Sequence, residues 1–357
     1  MRKSCVVLDH SYPCNIVSLQ AIRESNARIE TILPSGLVAV FVGATVQAAL
    51  GRQRSGTSSS RRTTHVSTSS DAAKMKANAI QIELNKINSE GEYHYLKYDA
   101  SLLGNAGEAC QHIQGRESAI NLLFLTSGTL ISGKQTEEGL NYPAGLVYYC
   151  RTCFIVNLLP QLRRASTLRH VVTVFVGGKE GKILTEDPQA NHVGILSSRG
   201  HITSMITLAL NALAKQAPDV SFIHVRPSFV KTSLSRALTG IGPAIAKVLF
   251  NPLITYLQVP IDEMGERQTH LITSARSPPC HSEQKDANGV ALSKGADVAV
   301  AVDGKIGGGV YSIDYQAEGT SQTVQEPIRN YIENNTAEEV WKHTEEEFVR
   351  VMGSLAL

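Results

Sequence analysis

The chain has 357 residues, of which 42% are hydrophobic and 18% charged, a composition that supports a sizeable core and excludes a disordered polymer. Its formal net charge of +2 gives no strong field of one sign, so neither nucleic acid nor a membrane surface is expected as a partner. The apolar stretch Ile245 to Leu257 is interrupted by Lys247, Asn251 and Pro252 and falls short of the roughly 20 residues of a membrane span. Met1 to Asp9 has too short an apolar run for a signal peptide, so a cytoplasmic protein is expected.

In chain order, residues 1–34 form an N-terminal extension that ends at Pro34 and is expected to fold as a helix. Leu37 to Val42 is a continuous apolar run closed by Gly43, the signature of a strand buried on both faces. Ile120 to Leu125, Val171 to Val176 and Val220 to Val225 repeat that signature. Helical patterns over Ala72 to Asn88, Leu146 to Leu162 and Thr203 to Lys215 alternate with these runs. The alternation predicts an α/β fold, a Rossmann-type doubly wound parallel sheet spanning residues 35–257.

One stretch breaks the rhythm. Gly51 to Ser70 is rich in serine, threonine and arginine, with Val66 its one large apolar residue, yet the fold requires a helix and a second strand between residues 43 and 72. From residue 258 to 357 a C-terminal extension is expected to pack on the domain. Asp297 to Val302 and Gly309 to Tyr315 flank a glycine-rich turn and read as a hairpin, and Ala337 to Met352 reads as an amphipathic helix. Of the six cysteines, Cys150 and Cys153 form a CxxC inside an apolar helix, where core packing is the expected role. No metal ligand set is expected.

The motifs, in their order and spacing, resemble the short-chain dehydrogenase/reductase family over roughly residues 36–235. Val42-Gly43-Ala44-Thr45 resembles the start of the family's TGxxxGxG turn. Asp99 matches the aspartate that meets the adenine. Thr126-Ser127-Gly128 stands where the NAG motif ends the fourth strand, and Arg226 to Thr232 resembles the segment that closes over the nicotinamide. Ile155 to Pro160, Arg199-Gly200-His201 and the tail Glu339 to Thr344 are similar to a fungal subgroup associated with specialised metabolism. The resemblance implies a dinucleotide at the carboxyl ends of the strands, with Gly43, Thr45, Asp99, Gly128 and Thr232 as cofactor-binding positions.

The usual catalytic set is replaced. The register of the helix puts Leu196 at the tyrosine position and Gly200 at the lysine position. Val176 takes the serine position and Val147 the asparagine position, within about one residue. A shift of one residue would bring Arg199 to the lysine's place, where it could hold ribose or phosphate. His201 is the catalytic candidate, able to titrate near neutrality, against a plain structural histidine. Tyr148 and Tyr149 read as helix-face aromatics. In the phosphate turn, Gln47 and Ala49 stand where glycines are expected.

These residues leave three readings open. One is an NAD(P)-dependent oxidoreductase acting on a small, apolar carbonyl, alcohol or imine in specialised metabolism. The others are a non-catalytic binding or scaffold relative, and an inactive product whose residues 46–70 reflect a misread gene. NADP is favoured over NAD, because Val66 to Ser70 has no carboxylate for a ribose hydroxyl and Arg61 and Arg62 lie near. The apolar segment Ser235 to Leu257 suits a hydrophobic substrate, a lid on the core, or the face of a homo-oligomer.

Overall fold

The computed structural model describes residues 17–43, 62–67, 88–129, 131–227, 259–282, 288–293, 296–319 and 321–355, with positions 82, 85 and 86. Among the described residues, seven strands form one sheet: β1 (Val38–Val42), β2 (Arg62–Ser67), β3 (Glu92–Lys97), β4 (Leu122–Leu125), β5 (His170–Val174), β6 (Ser221–Arg226) and β7 (Val310–Asp314). The order is β3-β2-β1-β4-β5-β6-β7, and every neighbouring pair is parallel. The second strand that the architecture demanded is therefore Arg62–Ser67, inside the serine- and threonine-rich stretch. The predicted helix from 72 to 88 lies almost wholly outside the described residues.

The continuous apolar strands follow from burial on both faces. Val38, Val40, Val42, Leu123, Leu125 and Val171 point into the main core. There they meet α3 (Leu103–Arg116), α5 (Cys150–Arg164) and α6 (Ile195–Gln216). The alternate residues Ala39, Phe41, Leu122, Phe124 and Val172 join a second core under α7 (Ile261–Thr273), through Leu271 and Ile272. Each fully buried Val, Leu or Phe contributes about 1.5–3 kcal/mol, so the sheet is fixed from both sides.

The N-terminal extension does form helix, α1 (Leu19–Ala27) and the short α2 (Ile29–Ile32). Ser18 caps α1, and Asn26 Nδ2 donates to Glu266 Oε2 at 2.6 Å, tying α1 to α7. At the N-terminus of α3, which lacks a capping side chain of its own, Glu138 accepts from the N–H groups of Leu103 (2.6 Å) and Gly104 (2.8 Å).

The predicted hairpin is corrected. Its second arm is β7, which pairs in parallel with β6 rather than with the first arm. Residues 297–302 form no strand. They meet the turn through a single antiparallel bridge between Val300 and Ile306, and Val302 N–H donates to the carbonyl of Val310. The second core explains the choice, because Tyr311 and Ile313 bury against Ala299 and Ala301 from within the sheet.

Two C-terminal helices, α8 (Gln322–Glu333) and α9 (Thr336–Met352), cover α6 and α3. The α9 stripe predicted from sequence is in place, with Val340 and Phe348 buried and Trp341 and Met352 half-buried. It docks on an unusual segment. Between α4 (Tyr142–Ala144) and α5 the chain makes a π-helical turn over Gly145–Tyr149. That turn carries Tyr148 and Tyr149, stacked edge to face at 5.0 Å. The Tyr148 hydroxyl meets Thr344 Oγ1 at 2.6 Å, and the Tyr149 hydroxyl meets His343 Nε2 at 2.7 Å. Cys150 and Cys153 are free thiols in the main core, with Cys153 Sγ 3.9 Å from Met352 Sδ.

Candidate functional site

Strand order reverses between β1 and β4, which opens a crevice at their carboxyl ends. Gly43 leaves β1 with a φ of +113°, and a Cβ there would lie 2.5 Å from the Ser127 nitrogen and 2.6 Å from Thr126 Oγ1. Only glycine fits this turn. Thr126 N–H donates to the carbonyl of Val42 at 2.7 Å, which joins the two strand ends. Gly128 follows as an exposed backbone position.

Asp99, two residues beyond β3, lies at the same end of the sheet. Its Oδ1 accepts from the backbone N–H (2.9 Å) and the hydroxyl (2.7 Å) of Ser101. Arg199 is exposed near the start of α6, its guanidinium 5.8 Å from the centroid of Phe175, the residue after β5. Thr45 and Thr232 lie outside the described residues. The structure thus brings Gly43, Asp99, Gly128 and Arg199 to one edge.

The four positions that the sequence register assigns to the catalytic set are placed as follows. Val176 is buried, Val147 is buried within the π-helical turn, and Leu196 is 81% exposed. At the lysine position, Gly200 touches Gly181 backbone to backbone. Gly181 N–H donates to the Gly200 carbonyl at 3.0 Å, and a Cβ on Gly200 would lie 3.2 Å from Gly181 Cα. The space for a long side chain has been used to seat the loop after β5 on α6.

His201, the catalytic candidate, is a structural clamp for that same loop. It is buried, its Nδ1 accepts from the Leu184 N–H at 3.1 Å, and its Nε2 bonds the Pro188 carbonyl at 2.8 Å. Both ring nitrogens are occupied, and burial lowers its pKa. Arg62 is corrected as well. It begins β2 opposite Val38, at the amino end of the sheet, whereas the cofactor selector belongs at the carboxyl end near Ser67.

Two buried polar groups stand out: Arg151, which sequence reasoning passed over, and a network around Glu180, which with Lys179 follows the fifth strand in the sequence and is a candidate replacement acid there. Arg151, on the first turn of α5, is 3% exposed. Its Nε donates to the Ser127 carbonyl at 3.0 Å, and its Nη2 donates to the same oxygen. Its Nη1 donates to Thr173 Oγ1 at 2.7 Å and to the Val174 carbonyl at 3.0 Å. Burial pulls its pKa down to about 9. A lone arginine inside the apolar run from 146 to 162 was the available signal.

The second is a polar row across the sheet. Thr173, His224 and Ser312 are lateral neighbours on β5, β6 and β7. Glu180 Oε1 accepts from Ser312 Oγ at 2.5 Å and from Thr207 Oγ1 at 2.9 Å, and Thr207 Oγ1 is 3.0 Å from His224 Nδ1. Burial raises the Glu180 pKa and lowers that of His224 to about 3. The row is a buried network on α6's face of the sheet. Glu180 followed the fifth strand in the sequence, but nothing there linked it to residues 207, 224 and 312.

No family model matches the chain. An oxidoreductase of Emericella nidulans is 32% identical over 92% of this chain and 97% of its own length. A short-chain dehydrogenase/reductase of Stachybotrys chartarum is 28% identical over 70% of each. The chain belongs to the short-chain dehydrogenase/reductase family. Among solved structures, one described as a dehydrogenase from Burkholderia cenocepacia with bound NADP has a TM-score of 0.50 at 13% identity, covering 68% of this chain and 89% of that one. As a short-chain dehydrogenase/reductase, the chain has the family's parallel Rossmann-type sheet. Among the described residues, no helix is long and apolar enough to cross a membrane.

Proposed function

We propose that this chain is an NAD(P)-dependent oxidoreductase that acts on a small, apolar carbonyl, alcohol or imine in specialised metabolism, without the family's side-chain proton relay. The observation that carries the reading is the crevice between β1 and β4, where Gly43 admits no Cβ and Gly128 presents bare backbone. A bound dinucleotide would supply the hydride. Gly43 and Gly128 would let it approach the backbone, and Asp99 would meet its adenine end. NADP is favoured, since Ser67 to Ser70, at and beyond the end of β2, has no carboxylate.

Leu196, Gly200 and Val176 can neither give nor take a proton, so water supplies it. Loss of general acid catalysis costs about 10²–10⁴ in rate, which orientation of cofactor and substrate offsets in part. The exposed side chains of Ile195 and Leu196 at the start of α6 suit an apolar substrate. The Gly200–Gly181 contact also favours a second reading, a dinucleotide-binding protein without turnover.

Calorimetric titration with NADPH and NADH separates these readings. Binding followed by turnover on a panel of ketones and imines supports the oxidoreductase. Tight binding without turnover supports the second reading. No binding at millimolar cofactor removes both.

A further inference from the structure

Arg151 is a buried cation. It makes no ion pair among the described residues, and its acceptors are two carbonyl oxygens and one hydroxyl. Burying an isolated charge is expensive unless something compensates it. Four of the five guanidinium N–H groups are spent on the ends of β4 and β5, and one on Nη2 is left over. That Nη2 lies 3.7 Å from where a Cβ on Gly128 would stand, directly beneath the exposed backbone of the crevice.

We infer that Arg151 is a positioning residue whose countercharge arrives with the ligand. It fixes the Ser127 carbonyl and the end of β5, and it holds positive potential under Gly128 for the anionic part of a dinucleotide. The inference rests on the dinucleotide reading above and adds to it a cation on α5. A charge buried from water, as that of Arg151 is, acts more strongly than an exposed one.

The test compares NADPH with uncharged adenosine on the full chain, with near-UV circular dichroism as the check of folding. Arg151→Gln keeps a donor for Ser127 and removes the charge, whereas Arg151→Lys keeps the charge and removes the fork. The expected result is a loss of about tenfold or more in NADPH affinity for Arg151→Gln, with adenosine affinity unchanged, and a loss of no more than about threefold for Arg151→Lys. Wild-type affinity in Arg151→Gln, or an equal loss for both ligands, overturns the inference. If Arg151→Gln does not fold, Arg151→Lys decides: a hydrogen-bonding scaffold predicts a loss of about tenfold or more, a charge predicts retention. Failure of wild type to bind either dinucleotide overturns the functional reading and this inference together, whereas unchanged binding by Arg151→Gln overturns this inference alone.

Discussion

Acid should unfold this protein well before the carboxylate range is reached. His170 and His224 are fully buried and His270 nearly so, and burial lowers their pKa values to about 4, 3 and 4. Each is depressed below its unfolded value of about 6.5, so each contributes stability that is present above pH 6.5 and lost as pH falls towards the folded value. Between pH 7 and pH 5 the loss is about 2 kcal/mol per histidine, or about 5–6 kcal/mol for the three. That compares with a total of about 5–15 kcal/mol for a typical domain. Glu180 works in the opposite sense. Its pKa is raised, so its contribution is present at low pH and lost as pH rises through the folded value, and it offsets part of the acid loss. Urea unfolding at pH 7, 6 and 5 and constant ionic strength, followed by the fluorescence of Trp341, the chain's one tryptophan, measures the slope. His270→Leu should remove about a third of it, because both ring nitrogens of His270 are buried without a hydrogen-bond partner among the described residues. A change below about 1 kcal/mol between pH 7 and pH 5 would refute the reasoning.

Two further outcomes follow from contacts around the replaced catalytic positions. Restoring the family's lysine as Gly200→Lys should destabilise the protein by about 1–3 kcal/mol without creating activity, because the new Cβ meets Gly181 Cα at 3.2 Å and Leu196 still lacks a hydroxyl; thermal melting together with a ketone-reduction assay checks both parts. Tyr148→Phe should cost about 1 kcal/mol or slightly more by leaving Thr344 Oγ1 without the Tyr148 hydroxyl, and hydrogen exchange should locate the loosening in α9.

The sheet was legible because strands buried on both faces must be continuous apolar runs, and the runs at 37–42, 120–125, 171–176 and 220–225 match β1, β4, β5 and β6 to within two residues at each end. Gly43 was legible because close approach of two strand ends tolerates no Cβ. Strand β2 was required by the architecture but invisible in its residues, since Arg62-Thr63-Thr64-His65 carries no apolar run and is held by backbone pairing on both sides. The hairpin misled for the same reason, because local alternation at 309–315 cannot say which strand will accept its hydrogen bonds.

The amino-acid order by itself determined the α/β frame and carried the motifs that resemble the family. The frame follows from periodicity and spacing, which are local properties of the chain. Tertiary structure decided how the candidate residues are used. It packed Gly200 on Gly181, turned His201 into a loop clamp, and moved Arg62 to the wrong end of the sheet for a cofactor. It also set Arg151 under Gly128, beside strand ends that are 22 or more residues away in the chain. Such meetings depend on how α5 and the sheet close over one another, and no local pattern encodes that.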